Sequence, residues 1–145
     1  MRNRIAKDVL ADLRNVPLFS SCTDRELKEV SSLGTPTPIR AGRKITVAGA
    51  RGAEWFVVLS GRASCQVQGR EVATFGPGDF FGELSLIDNG TRSASVIAET
   101  PMRLLDFDRR EFDRLLDVAP SVARKMLSTM AVRLRAADSV IARAS

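Results

Sequence analysis

Apolar residues recur along the chain in three successive rhythms. From Arg2 to about Leu33 they fall at helical spacing: Ile5, Val9, Leu10 and Leu13 make one stripe, which Pro17 interrupts. Thr23-Asp24-Arg25-Glu26 then reads as a capping box, with Thr23 placed to accept an amide hydrogen bond and Glu26 to return one. Leu27, Val30 and Leu33 continue the buried face, and Gly34 stops the helix. From Thr35 to about Asp108 the rhythm shortens to apolar runs broken by glycine at fairly regular intervals, from Gly42 to Gly82. The runs predict strands at Pro36 to Arg40, Lys44 to Ala48, Glu54 to Ser60, Ala63 to Gln68, Arg70 to Phe75, Asp79 to Phe81, Ser93 to Glu99 and Met102 to Asp106. Gln68-Gly69-Arg70 predicts a tight hairpin.

Helical spacing returns at Arg109. Phe112, Leu115 and Leu116 predict a short amphipathic helix that Ala119-Pro120 ends. A longer helix runs from about Ser121, with Val122, Met126, Met130, Leu134 and Ile141 on one side. Eight short strands with turns between them point to a sandwich or barrel rather than a parallel α/β sheet. The whole reads as one domain over residues 1–145: helices over about 2–33, a β-roll over about 35–108, and helices over about 109–143.

Composition narrows the chemistry. The chain of 145 residues has no histidine and no tyrosine. Ser-His-Asp and Cys-His nucleophiles are therefore excluded, as is every zinc site that uses histidine. Cys22 and Cys65 are too few for a disulfide framework or a zinc site of their own. Binding is the better expectation than catalysis, with no catalytic cofactor and no metal. No export signal and no run of some 18 apolar residues is present, so the expected location is the cytoplasm.

The net charge is +5, and the segment from Ala119 to Ser145 supplies most of it through Arg124, Lys125, Arg133, Arg135 and Arg143 against Asp138. A charge excess along one helix is usually a solvated face, so nucleic acid is not expected as a partner of this chain alone. Met126, Met130, Leu134 and Ile141 suit either a seam against a second copy or a lid packed on the roll.

One segment breaks the strand-and-turn pattern: Phe80-Phe81-Gly82-Glu83-Leu84-Ser85-Leu86, then Arg92-Ser93-Ala94-Ser95-Val96. It sets a carboxylate and a guanidinium among residues that otherwise read as buried. Gly82 allows close backbone approach, and Glu83 to Ile87 suits a helical turn with free amides. Arg92 offers a planar fork for phosphate, which Ser93 and the Ala94 amide would extend. Glu83 accepts hydrogen bonds and so suits hydroxyls. An acceptor beside a phosphate cradle is the chemistry of a sugar phosphate; a structural Glu83–Arg92 salt bridge is the plainer alternative.

These residues resemble the phosphate-binding cassette of cyclic nucleotide-binding domains. The likeness extends to Ala41-Gly42-Arg43-Lys44-Ile45, Ala48-Gly49-Ala50-Arg51-Gly52, Trp55 to Gly61, and Phe75-Gly76-Pro77-Gly78-Asp79, covering residues 16–137. It implies a mainly β, α+β fold: an eight-stranded antiparallel β-roll of jelly-roll type between N- and C-terminal helices. It implies a cyclic nucleotide sensor that signals through its C-terminal helices, with cAMP as ligand and cGMP as the alternative. Glu83 would take the ribose 2′-hydroxyl and Arg92 the exocyclic phosphate oxygens. Backbone amides near Gly82, Leu84 and Ala94, with the Ser93 hydroxyl, would complete the cradle, and Ser85 is counted among the ligand-binding residues. Val72 and Ala73 would line the base pocket, with Arg133 and Arg135 from the last helix. Thr91 stands where the family often has proline, which loosens that turn. The other readings are a nucleotide-free structural domain of the same fold, or the sensor piece of a longer transcription regulator, channel or enzyme.

Overall fold

The computed structural model describes residues 9–144, with side chains through Asp138. Ile5 and the basic residues Arg2, Arg4 and Lys7 lie outside the described residues, as do the side chains of Ile141 and Arg143. The first stripe continues as helix α1 through residues 9–14, and a 3-10 turn follows at Pro17–Phe19. Helix α2, Asp24–Leu33, begins at the capping box: Glu26 N donates to Thr23 Oγ1 at 3.2 Å, and Thr23 N donates to Glu26 Oε1 at 2.8 Å. Gly34 ends it, but not through the left-handed conformation that usually recruits glycine there; its φ is −79°. A Cβ at Gly34 would sit 2.6 Å from Leu105 Cγ, so glycine is needed for space.

Eight strands follow: β1 Thr35–Ile39, β2 Lys44–Thr46, β3 Glu54–Ser60, β4 Ala63–Val67, β5 Arg70–Phe75, β6 Phe80–Phe81, β7 Ser95–Ala98 and β8 Met102–Asp108. They pair antiparallel in two four-stranded sheets, ordered β1-β8-β3-β6 and β2-β7-β4-β5. The hairpin between β4 and β5 turns on Gln68 and Gly69, both at positive φ (51° and 75°), as a two-residue turn requires. Ser93 and Ala94 were expected inside a strand. They precede β7 instead, because the chain there is still leaving the loop that carries Arg92. Asp79 likewise sits before β6, where Oδ2 accepts from Gly76 N at 2.8 Å and closes the turn.

β3 explains where the core lies. Its run Trp55-Phe56-Val57-Val58 is buried throughout because both faces are covered. Trp55 and Val57 face the helices, packing with Phe80, Phe107 and Phe112. Phe56 and Val58 face the second sheet, where Phe81 stacks on both Phe56 and Phe75. Helix α4, Arg109–Val118, starts from a second capping box at Asp108 and Glu111. Helix α5, Pro120–Ala144, starts directly on its proline. The expected apolar side of α5 is divided: Val122 and Met126 join the chain's own core, Met130 packs partly buried against it, and Leu134 is exposed, as is Leu127, which is not part of that expectation.

Candidate functional site

The short helix α3, Glu83–Asp88, connects β6 to the loop before β7. Gly82 introduces it at φ 97°, a conformation that side chains disfavour. A Cβ there would also lie 2.8 Å from Glu54 O and 2.9 Å from Arg92 Nη1. The backbone of Arg92 is fixed from the opposite direction. Its N donates to Ala50 O at 2.8 Å, and its O accepts from Gly49 N at 2.9 Å. Next to it, Thr91 forms an isolated antiparallel bridge with Arg51. The segment at Gly49–Arg51, some forty residues upstream, thus anchors the loop that brings Arg92 into the same space as Glu83.

That space is a cavity of about 380 Å³ between the second sheet, α3 and α5. Such a volume is within the ~300–1,000 Å³ of small-molecule sites. Gly82, Glu83, Leu84, Ser85, Arg92, Ser93 and Ala94 all border it, as do Val72, Ala73 and Arg133. Arg135 does not: it is exposed on the outer side of α5, a turn-related consequence of its spacing from Arg133. Ala136 and Ala137 border the cavity in its place, where small side chains let α5 approach the roll. Cys65 and Phe75 complete the apolar wall, and neither carries a sequence signal distinct from a core residue.

Glu83 is 4% exposed. Burial raises its carboxyl above the ordinary range, against the opposing pull of hydrogen bonds and of Arg133. Oε1 accepts from Arg133 Nη1 at 3.0 Å, whereas Oε2 is buried and has no partner among the described residues. Arg133 also donates from Nη2 to Phe80 O at 2.7 Å and lies over the rings of Phe80 and Phe75, 4.6 and 5.2 Å from their centroids. It reaches Glu83 from α5, fifty residues away, a pairing no local pattern announces.

Arg92 is 8% exposed. Nη1 donates to Gly82 O at 3.0 Å and to Ser85 Oγ at 2.9 Å, and Nη2 donates to Glu54 O at 2.8 Å. Every one of these acceptors is neutral, and no carboxylate forms a salt bridge with Arg92 among the described residues. The plainer expectation of a Glu83–Arg92 bridge therefore fails: Glu83 pairs with Arg133 instead. Burial lowers the Arg92 pKa, with Glu54, Asp106 and Glu83 acting in the opposite direction. A buried cation with no salt bridge among the described residues and a buried carboxylate oxygen without a donor are both costly. A ligand with an anionic group and a neighbouring hydroxyl relieves both.

A family model described as "Cyclic nucleotide-binding domain" matches residues 36–118. The chain is 34% identical to the cyclic AMP receptor protein of Thermus thermophilus over 131 residues, 87% of this chain and 61% of that protein. It is 30% identical to the cAMP-dependent protein kinase regulatory subunit of Neurospora crassa over 115 residues, 78% of this chain and 30% of that protein. The chain thus spans less than two thirds of either relative. A solved structure described as Sp-2Cl-cAMPS bound to PKAR CBD2 matches with a TM-score of 0.80 at 23% identity, covering 94% of this chain and 93% of that one. That last likeness is one of fold.

Proposed function

The chain belongs to the cyclic nucleotide-binding domain family, and we propose that it is a sensor for cAMP that reports occupancy through α5. One observation carries the reading. A partnerless carboxylate oxygen of Glu83 and a guanidinium of Arg92 with only neutral acceptors line the same cavity. A 3′,5′-cyclic ribonucleotide offers an anionic phosphate and a 2′-hydroxyl on one rigid sugar. In the proposed complex Glu83 Oε2 accepts the 2′-hydroxyl and Arg92 donates to the exocyclic phosphate oxygens. The amides of Leu84, Ser85 and Ala94, with the exposed Ser93 hydroxyl, surround the phosphate. Val72, Ala73, Ala136 and Ala137 contact the base. This wall is apolar, so it fits a purine by shape; the name of the Thermus thermophilus relative favours adenine, with cGMP as the competitor to test.

Arg133 is the proposed link to output. It joins the α3 carboxylate to α5, so a ligand that engages the free oxygen of the same carboxylate changes the environment of a contact made by that helix. Occupancy shifts α5 only as far as the nucleotide prefers one of its arrangements. The exposed Leu127 and Leu134 supply a second copy of the chain with an apolar face, the proposed partner of this helix. Relatives of the family named above are regulatory and receptor proteins, which supports a binding role over a catalytic one.

Calorimetric titration of the chain with cAMP and cGMP tests the reading. Saturable 1:1 binding is expected, and Arg92→Ala should weaken it by about 2–5 kcal/mol, the cost of stranding a buried charge. No heat and no thermal shift with either nucleotide would return the chain to the nucleotide-free structural reading.

A further inference from the structure

The guanidinium of Arg92 is held from both sides before any ligand arrives. Ser85 is 2% exposed, and its Oγ accepts from Arg92 Nη1 at 2.9 Å while lying 3.4 Å from Gly82 O, to which it donates. The single hydrogen of the hydroxyl is thus engaged within the protein and is not free for a ligand. On the other side, the side chain of Arg92 passes against Gly52. A Cβ at Gly52 would overlap Arg92 Nε and Cζ, so any larger residue expels the guanidinium. Gly52 has no positive φ, and its lack of a side chain is therefore required by space rather than by backbone conformation. Three of the five N–H groups are engaged by neutral acceptors, which fix the fork without cancelling its charge.

We infer that Gly52 and Ser85 are positioning residues for phosphate recognition, Gly52 by opening the slot that Arg92 crosses and Ser85 by turning its Nη1. The inference rests on reading Arg92 as the phosphate-holding group. It assigns the Ser85 hydroxyl to Arg92 and leaves only the Ser85 amide for the ligand. A long side chain aimed in advance loses less freedom on binding, so the slot acts on affinity through pre-organisation.

The experiment is a double-mutant cycle by calorimetry with cAMP on the full chain. Ser85→Ala should weaken binding about tenfold in the Arg92 background, the effect of one hydrogen bond to a charged group. In an Arg92→Lys background the same change should have less than about a twofold effect, because the fork it orients is gone. Ser85→Thr, which keeps the hydroxyl, should recover most of the loss. Gly52→Ala should reproduce the loss and the same dependence on Arg92. Equal losses in both backgrounds overturn the inference, since a merely structural role does not depend on Arg92. A second readout needs no ligand: the Arg92 Nε–H resonance should be sharp in the native chain and broadened in Ser85→Ala and Gly52→Ala. An unchanged resonance overturns the slot. Failure of the unsubstituted chain to bind any cyclic nucleotide overturns the parent reading, and the phosphate role of the slot with it.

Discussion

The ribose assignment makes a quantitative prediction through Glu83 Oε2, a buried acceptor with no partner among the described residues. The perturbation is a square: wild type and Glu83→Ala, each titrated with cAMP and with its 2′-deoxy analogue. In the wild type, deleting the 2′-hydroxyl removes a hydrogen bond to a carboxylate and leaves Oε2 stranded again. A hydrogen bond to a charged group contributes about 1.5–3 kcal/mol, so the analogue should bind about 10- to 150-fold more weakly. In Glu83→Ala the same deletion should cost almost nothing. The coupling energy of the square is therefore about 1.5–3 kcal/mol if Glu83 and the hydroxyl meet. One complication is visible in the structure. Glu83→Ala frees Arg133 Nη1, which could turn toward the sugar and mask the effect. Repeating the square in an Arg133→Met background removes that route while keeping bulk over Phe75 and Phe80. Calorimetry at 25 °C resolves the difference. A coupling below about 0.5 kcal/mol in both backgrounds would refute the contact, because uncoupled pairs add to within that margin.

Three further outcomes are expected. Gly34→Ala would drive a methyl into Leu105 and Phe107 and should destabilise the fold by about 1–3 kcal/mol in urea melts, without a selective effect on nucleotide binding; wild-type stability would contradict the packing argument. Asp106, beside Glu54, is pushed by burial and by that neighbour from the ordinary 3.8 up to about 7. The folded chain then holds a proton that the unfolded chain releases, so the associated stability is full below about pH 4 and is lost as pH rises through about 7. Asp106→Asn should flatten the fall in urea midpoint between about pH 5 and pH 8; an unaltered slope would remove Asp106 as its source. Leu127→Glu with Leu134→Glu should leave a monomer by sedimentation if α5 pairs with a second copy, and a wild type that is itself monomeric at high concentration would dismiss that partner.

Much of the frame was legible because its signals are local. The Thr23 box, the Gln68-Gly69 turn, the strands at Glu54–Ser60 and Arg70–Phe75, and the break at Pro120 each depend on a few neighbouring residues. The second capping box, Asp108 with Glu111, is equally local, yet straddles the point where the β-zone of the sequence ends and the short amphipathic helix begins. Strand ends near the cassette ran long because periodicity cannot show where pairing stops; Ser93 and Ala94 continue the polar–apolar alternation of β7 but precede the strand.

Sequence alone singled out the residues proposed to carry the chemistry, a carboxylate, a guanidinium and the glycine between them, together with the roll that holds them. The resemblance of the cassette to its family supplies that, and it is readable because the cassette is nearly contiguous; spacing by itself leaves a structural salt bridge as the plainer alternative. Only the tertiary structure decided what each group meets. Glu83 meets Arg133 rather than Arg92, Arg92 is held by neutral oxygens, and one of those is the Ser85 hydroxyl. It also decided that Gly34 and Gly52 are glycines for want of room, and that Met126 belongs to the core while Leu134 faces outward. Each depends on what lies opposite in space, seven positions away for Ser85 and Arg92 and fifty for Glu83 and Arg133, and such packing leaves no period in the sequence.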